Sequence, residues 1–159
     1  MTTETIPFTP EGYEELKAEL TNLKSVERPK VIEEIAEARA HGDLKENAEY
    51  HAAREKQSFI EGRITILDDH IARANILDFS NETPDQVKFG AFVTVEDEEG
   101  EEKTLRIVGD LEADIERNRI SLGSPLAKAL MGKKLDDFVE VKVPKGVKEY
   151  TIVNVTYGE

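Results

Sequence analysis

The chain has 159 residues and a formal net charge of −13 at pH 7. This length suits one ordinary domain or two small ones with modest cores. The absence of cysteine excludes disulfide bonds, thiolate metal sites and cysteine nucleophiles. No apolar run approaches the roughly 18 residues that span a bilayer. The first residues lack a signal-peptide apolar region, so we expect a cytoplasmic protein with no membrane partner. The acidity argues against a protein that holds nucleic acid by its own charge.

The first half of the chain has the heptad spacing of a helical coiled coil. Thr9 and Pro10 are typical of an N-cap and a first helical position. The apolar series that follows consists of Tyr13, Leu16, Leu20 and Leu23, and it resumes at Val31, Ile35 and Ala38. Its register slips by one residue near Pro29, which predicts a bend or a restart of the helix. A second series predicts another helix with Gln57 as its one polar interruption. The residues of that series are Tyr50, Ala53, Gln57, Ile60, Ile64, Leu67, Ile71 and Ala74.

A short segment joins the two predicted helices. Gly42 can supply a left-handed C-terminal cap to the first helix, and Asp43 can be the N-cap of the second. A join this short predicts antiparallel helices whose seams pair along their length. A second helix running from residue 46 to residue 74 would be about 43 Å long. We therefore predict a rod-like domain over residues 1–76 with a sharp tip at residues 41–47.

The second half of the chain has the pattern of a small sheet domain. Residues 97–100 are typical of an acidic hairpin turn, and Ser124 and Pro125 predict the N-cap and first position of a short helix ending near Gly132. Four β-branched segments predict antiparallel strands over residues 91–96, 103–108, 138–143 and 150–156. We predict a linker over residues 77–87 and a domain over 88–159. The fold class predicted for the whole chain is α+β.

Two acids at the tip could carry chemistry. Asp43 and Glu46 are three residues apart, so their carboxylates can share a hard cation such as Mg²⁺ or orient a metal-bound water. The alternative is an acidic capping box that stabilises the helix by about 1 kcal/mol and has no further function. The outermost position of the pair favours the functional interpretation. The usual nucleophile, zinc and nucleotide-loop motifs are absent, so we do not expect an enzyme that acts alone.

Basic residues surround this acidic pair in an otherwise acidic protein. Arg39 and Arg54 are expected at similar heights on adjacent helices, which would form a small positive patch. A patch of this size could hold a phosphate or a strand end that a partner delivers. The alternative is that these are the ordinary surface charges of a coiled coil. The basic residues of the predicted patch are Arg39, Lys45, Arg54 and Lys56.

The sequence around the tip, HGDLKENAEY at residues 41–50, resembles the GreA/GreB family of bacterial transcript cleavage factors. The resemblance continues through residues 106–110, 120–121, 124–127 and 130–133, and covers essentially the whole chain. The net acidity is more similar to that of GreA members than to that of the basic GreB members, which implies cleavage of short extruded RNA.

The resemblance implies an N-terminal antiparallel coiled coil and an FKBP-like C-terminal domain that docks on RNA polymerase, with Ser124 and Pro125 in the docking region. The coiled coil would enter the secondary channel of the polymerase. Asp43 and Glu46 would help hold a catalytic Mg²⁺ shared with the polymerase, which cuts the 3′ end of backtracked RNA. Arg39 and Arg54 would contact that RNA, with Lys45 and Lys56 beside them. The resemblance implies no cofactor of the protein's own and no small-molecule substrate.

Two other functions stay open on the sequence alone. A protein of the same architecture could enter the channel and inhibit transcription without cleavage. The chain could also be a structural adaptor, in which the acids at the tip matter only for helix stability. Prolyl isomerase activity of the FKBP-like half is not expected, because an apolar proline pocket needs more aromatic residues than this half contains and the chain has no tryptophan.

Overall fold

The computed structural model describes residues 4–42, 47–80 and 86–157. The chain forms two compact units, one of Met1–Glu4 with Tyr13–Ala74 and the other of Thr5–Gly12 with Asn75–Glu159. The α+β class predicted from the sequence is confirmed. The predicted first domain, residues 1–76, includes residues 5–12, whereas in the structure these residues group with the second unit. The physical reason is a buried contact with Glu112, described below.

The first unit contains α2 (Arg28–Arg39), α3 (Ala48–Ala72) and all but the first three residues of α1 (Pro10–Asn22). Thr9 begins α1 as predicted, since its hydroxyl oxygen accepts a 3.0 Å hydrogen bond from the Gly12 N–H. α3 has 25 residues and is therefore about 37 Å long. In the described part of the chain, no helix has both the length and the apolar composition needed to cross a lipid bilayer.

The register slip predicted near Pro29 occurs in the structure as a π-helical segment, Leu23–Glu27, between α1 and α2. Its end is marked by the Arg28 N–H, which donates to the Leu23 carbonyl five residues earlier. A π-helical turn contains an extra residue, so it shifts the apolar stripe by one position without breaking the helix. Pro29 lies in the first turn of α2, directly after the π-helical segment.

Helices α2 and α3 pack antiparallel through a buried apolar seam. The antiparallel direction follows from three ion pairs between the two sides of the hairpin. From one pair to the next, the residue number rises on one side and falls on the other. These pairs are Lys24–Asp68, Arg28–Glu61 and Lys56–Glu34. The predicted seam is confirmed at its buried positions on both sides, which are Val31, Ile35, Ala38, Ala53, Ile60, Ile64 and Leu67. α3 ends at Ala72, two residues before the predicted end at residue 74, because Ala74 begins a strand.

Arg28 and Glu61 form the best-aligned of these pairs. Both guanidinium donors, Nε and Nη2, lie 2.8 Å from the two carboxylate oxygens of Glu61. The hydrogen bonds from Arg28 hold the pKa of Glu61 below its ordinary value, against the opposing effect of desolvation. The pair therefore fixes the relative register of the two helices while keeping its carboxylate ionised.

Short strands that the sequence analysis missed join the N-terminal segment to residues near position 76. β1 (Ile6–Phe8) pairs with β2 (Ala74–Ile76), and the Leu77 N–H donates to the Phe8 carbonyl at 2.9 Å. Three-residue strands give too little alternation for a sequence pattern to detect.

Residues 86–157 form a five-stranded sheet in the order β5-β4-β3-β7-β6. Its strands are β3 (Phe92–Glu96), β4 (Glu102–Val108), β5 (Arg119–Ser121), β6 (Phe138–Val143) and β7 (Gly146–Thr156). The four predicted strands are confirmed. They pair antiparallel with one another, as predicted. The sequence pattern did not predict β5, which runs parallel to β4. This pairing needs a crossover connection, which two 3₁₀ turns at Asp110–Glu112 and Ile115–Arg117 provide.

One face of the sheet and helix α4 (Pro125–Leu130) enclose the core of the second unit. Leu77 and Phe79 pack against this core, and Val87 is 1% exposed within it. The Val87 N–H donates to the Lys133 carbonyl at 2.8 Å. The expected linker over residues 77–87 is therefore packed at both of its described ends, because its apolar side chains gain more from burial than a free linker would allow.

A buried carboxylate attaches residues 5–12 to this unit. Glu112 is 6% exposed and Thr9 is 1% exposed. One oxygen of Glu112, Oε2, accepts from the Thr9 N–H at 3.1 Å and from the Gly109 N–H at 3.0 Å. The other oxygen accepts from the Thr9 hydroxyl. Gly12 leaves the space that this carboxylate fills, since a Cβ there would lie 1.7 Å from Oε1.

Candidate functional site at the hairpin connection

The predicted acidic tip lies between two described helix ends. After α2, Ala40 donates its N–H to the Glu37 carbonyl at 3.1 Å, and His41 donates to the Ala38 carbonyl at 3.1 Å. The C-cap of α2 is Ala40, in the right-handed helical conformation, so the predicted left-handed cap at Gly42 is wrong. Gly42 follows with a φ of 125°, a value that favours glycine. Asp43, Lys45 and Glu46 lie outside the described residues.

Asn47 connects the ends of α2 and α3. Its Oδ1 accepts a 3.0 Å hydrogen bond from the Tyr50 N–H, which makes it the N-cap of α3. Its Nδ2 donates to the Ala38 carbonyl in the last turn of α2 at 2.6 Å. The predicted N-cap, Asp43, is therefore wrong. The side chain of Asn47 bonds one backbone group on each helix, as acceptor at α3 and as donor at α2, which a carboxylate cannot do because it lacks a donor.

A second contact between the helix ends lies nearer the surface. His41 Nδ1 and Glu49 Oε2 are 3.1 Å apart, and both side chains are exposed. Together with the hydrogen bonds of Asn47, this contact holds the end of α2 beside the start of α3. Residues 43–46 therefore join two positions that the surrounding hydrogen bonds define.

The structure separates the basic residues of the predicted patch. The Arg39 guanidinium carbon lies 5.8 Å from the centre of the Tyr50 ring, and Arg54 is exposed one helical turn after Tyr50. Since positions four apart share a helix face, Arg54 is on the face of α3 that carries Tyr50. Lys56 lies on another face, with its Nζ 3.5 Å from a Glu34 oxygen. Lys45 is not among the described residues.

The face that carries Lys56 is acidic. A shallow cavity of about 330 Å³ runs between α2 and α3 there, and its charged lining includes Glu34, Glu37 and Glu49. An anionic group would be repelled by this side and attracted by the side of Arg39 and Arg54. The division of charge by helix face was not visible from the sequence, because it depends on which residues each helix turns toward the other.

The predicted docking residues begin α4. Ser124 is its N-cap as predicted, with its hydroxyl oxygen accepting from the Ala127 N–H at 3.2 Å, and Pro125 occupies the first turn. Pro125 is exposed and Ser124 is half-buried. Nothing in this geometry requires a docking role, since the pair also forms an ordinary helix start.

Within residues 4–42, 47–80 and 86–157, no three His, Asp or Glu side chains converge as metal ligands. The donor chemistry of the two predicted acids does suit Mg²⁺, which prefers carboxylate oxygens and usually takes one or two of them. Both acids lie outside the ranges described, so their geometry stays a prediction.

Comparisons with known proteins cover both units of the chain. Residues 6–76 match the family described as "Transcription elongation factor, N-terminal", and residues 82–157 match "Transcription elongation factor, GreA/GreB, C-term". A Rickettsia felis protein called "Transcription elongation factor GreA" is 58% identical over 154 residues, which cover 96% of this chain and 95% of that one. A Rhodospirillum rubrum protein of the same description is 57% identical over 156 residues, with coverage of 98% and 99%.

Solved structures with related sequences include Gfh1, a GreA factor homolog of Thermus thermophilus. It has a TM-score of 0.44 and 28% identity, and the match covers 96% of this chain and 99% of that one. The helical hairpin, the sheet unit and the matches over both units define a transcription elongation factor. The chain belongs to the GreA/GreB family.

Proposed function

We propose that this chain binds RNA polymerase, inserts its hairpin of α2 and α3 into the secondary channel and stimulates cleavage of the 3′ end of backtracked RNA. Cleavage of this kind rescues arrested elongation complexes in the cytoplasm. The observation that carries the proposal is family membership over both units, with relatives near 58% identity along almost their whole length. The hairpin supports it, because a long antiparallel pair of helices can carry a short acidic connection into a narrow channel.

The proposed chemistry rests on the carboxylates of Asp43 and Glu46. They would complete the oxygen ligands of an Mg²⁺ that the polymerase already holds in part, and would accept hydrogen bonds from a nearby water. When bound, Mg²⁺ makes a coordinated water more acidic and stabilises negative charge on a phosphate. The protein would therefore not be an enzyme alone, since it would supply acids to an active centre built by the polymerase.

The basic residues would position the RNA. Arg39 and Arg54 lie on the Tyr50 face of the hairpin, away from the acidic cavity, so a phosphate of the extruded strand can approach them without repulsion. Lys45 adjoins the acids in the sequence and would contribute charge at the tip. Lys56 already pairs with Glu34, so we assign it the smallest role.

The test is RNA cleavage in a stalled, backtracked elongation complex with Mg²⁺. The variant Asp43→Asn with Glu46→Gln should bind polymerase but lose stimulation. A matched control, Glu33→Gln with Glu55→Gln, removes the same charge from exposed positions on α2 and α3 and should cleave normally. Normal cleavage by the first variant would refute the proposed role of the tip.

The same assay separates the alternatives. If the unmodified protein stops RNA synthesis without shortening the RNA, it is an inhibitor that enters the channel. If it neither shortens RNA nor stops synthesis while still binding polymerase, it is an adaptor. Shortened RNA with a new 3′ end that the polymerase extends is the outcome expected here.

A further inference from the structure

A row of side chains crosses the outer face of the sheet in the second unit. The strand register pairs Arg119 on β5 with Arg106 on β4, Arg106 with Phe92 on β3, and Phe92 with Thr156 on β7. Side chains of directly paired residues project from the same face of a sheet. This face is opposite the one that carries the buried residues Val93, Leu105 and Ile107.

This row lines a cavity of about 640 Å³. Arg117, Asn118 and Thr104 complete its polar lining. Arg117 ends the second 3₁₀ turn, and Asn118 follows with a φ of 57°, which reverses the chain so that Arg119 can enter β5. Cavities that hold small molecules measure roughly 300 to 1,000 Å³ and combine apolar surface with a few convergent polar groups.

The charge of the cavity is unusual for this protein. Three arginines line one cavity in a chain of net charge −13. A guanidinium group presents paired donors that match the oxygens of a phosphate, and it stays charged at all physiological pH values. Three such groups facing one space favour an anionic ligand that carries more than one charge.

Arg106 is held in position before any ligand arrives. Its guanidinium carbon lies 4.7 Å from the centre of the Phe92 ring, and its Nε donates to the Gly90 carbonyl at 3.1 Å. The side chain is 12% exposed. A guanidinium fixed by a ring contact and a carbonyl loses little conformational entropy on binding, which improves affinity.

Arg106 already binds a carboxylate. Its Nη2 lies 3.1 Å from Oε2 of Glu11, a side chain that is 61% exposed. Asp78 is a second nearby acid, whose pKa is lowered first by the Ser80 hydroxyl, then by the Ser80 N–H, and to a smaller extent by the charge of Arg106. The exposed Glu11 carboxylate therefore marks a position at which an external anion could replace an internal one.

We propose that this cavity binds a small phosphorylated ligand of nucleotide size. Its phosphates contact Arg106, Arg117 and Arg119, and its flat apolar part lies against Phe92 and the polar residues beside it. Glu11 competes with the ligand for Arg106 and so weakens binding in the free protein. A phosphate group is favoured over a peptide carboxylate because the site is a cavity of limited volume and its three arginines can each take a different phosphate oxygen. The site does not use the tip residues and is independent of the proposed function.

The test is isothermal titration calorimetry of the full chain with ADP, pyrophosphate and adenosine at moderate salt. ADP should bind, pyrophosphate should bind more weakly, and adenosine should not bind measurably. Arg117→Gln with Arg119→Gln should weaken ADP binding by at least about tenfold, because each removes a charged hydrogen-bond donor. Arg119→Lys keeps the charge but not the paired donors, and should lose part of the affinity. Glu11→Gln should strengthen binding.

Lys128→Gln with Lys133→Gln removes the same two charges from exposed positions outside the cavity. This matched charge control should bind as the unmodified chain does. Far-UV circular dichroism establishes that each variant is folded. Equal binding of pyrophosphate and ADP would retain the anion site but overturn its nucleotide size. The whole proposal is overturned if ADP does not bind at millimolar concentration, if the double arginine variant binds as well as the control, or if a glutamate-rich peptide displaces ADP stoichiometrically at equal concentration.

Discussion

Replacing Glu112 by alanine should loosen the N-terminal segment from the second unit. The carboxylate accepts hydrogen bonds from the Thr9 N–H, the Gly109 N–H and the Thr9 hydroxyl. Since Glu112 is 6% exposed and Thr9 is 1% exposed, alanine would leave these donors away from bulk water. The segment that Glu112 holds includes Phe8, which is 1% exposed.

The magnitude follows from counting these donors. A buried donor that loses its acceptor costs about 1 to 3 kcal/mol, and water entering the vacated space recovers part of this loss. We therefore expect Glu112→Ala to lower the free energy of unfolding of the second unit by about 3 to 4 kcal/mol. Glu112→Gln keeps an oxygen for the two N–H groups but loses the charge, so it should cost about 1 to 2 kcal/mol.

Hydrogen exchange followed by mass spectrometry can assign the loss to this unit. In Glu112→Ala, the amides of residues 9, 12 and 109 should exchange faster than they do in the unmodified chain, while the protection of amides in α3 should be unchanged. Glu116→Ala removes an exposed acid from the neighbouring 3₁₀ turn and is the matched control. A destabilisation below about 1 kcal/mol with unchanged exchange at residues 5–12 would refute the reasoning, because water would then replace the carboxylate almost fully.

The remaining predictions concern the first unit. Leu67→Ala, at a side chain with no exposed surface, should cost about 2 to 5 kcal/mol in thermal unfolding followed by circular dichroism, whereas Ile66→Ala at an exposed position should cost little. Asn47→Ala should cost about 1 kcal/mol or more, seen as faster amide exchange at both helix ends, and Asn47→Asp should restore only the α3 cap. The lowered pKa of Glu61 adds stability that is fully present at pH 7 and is lost as the pH falls through the lowered pKa of this carboxylate. An acid titration of Arg28→Gln should therefore show a shallower loss than that of the unmodified chain.

The sequence predicted best those features that repeat. The heptad series predicted the seam of α2 and α3 because every third or fourth residue must be apolar to pack against a partner helix. The one-residue slip near Pro29 also predicted an irregularity, although its form as a π-helical segment depends on the neighbouring backbone. The main strands of the sheet followed from β-branched alternation in the same way.

Contacts between side chains that are far apart in the sequence could not be predicted from it. Glu112 is one of 34 acidic residues, and no local pattern shows that it is buried against Thr9, which lies far away in the sequence. The arginine cavity arises because the parallel strand β5 brings Arg119 beside Arg106. A signal for Asn47 was present, since asparagine directly before a helical series is a preferred N-cap. Asp43 satisfies the same sequence rule, and only the hydrogen bonds in the structure identify Asn47 as the N-cap of α3.

The position of the α3 cap bears on the two interpretations of the acidic pair. If Asp43 and Glu46 formed the capping box of α3, their removal would fray the helix, and a loss of activity could be a loss of structure. In the structure Asn47 is the cap and α3 begins at Ala48. Removing the two carboxylates therefore leaves the N-cap hydrogen bond of α3 in place, along with the Asn47 contact to α2. Consider a variant of the two acids that binds polymerase, keeps its helix content and fails to stimulate cleavage. Its loss of activity would report on chemistry at the tip. An adaptor that needs the acids only as a helix cap would not show this combination.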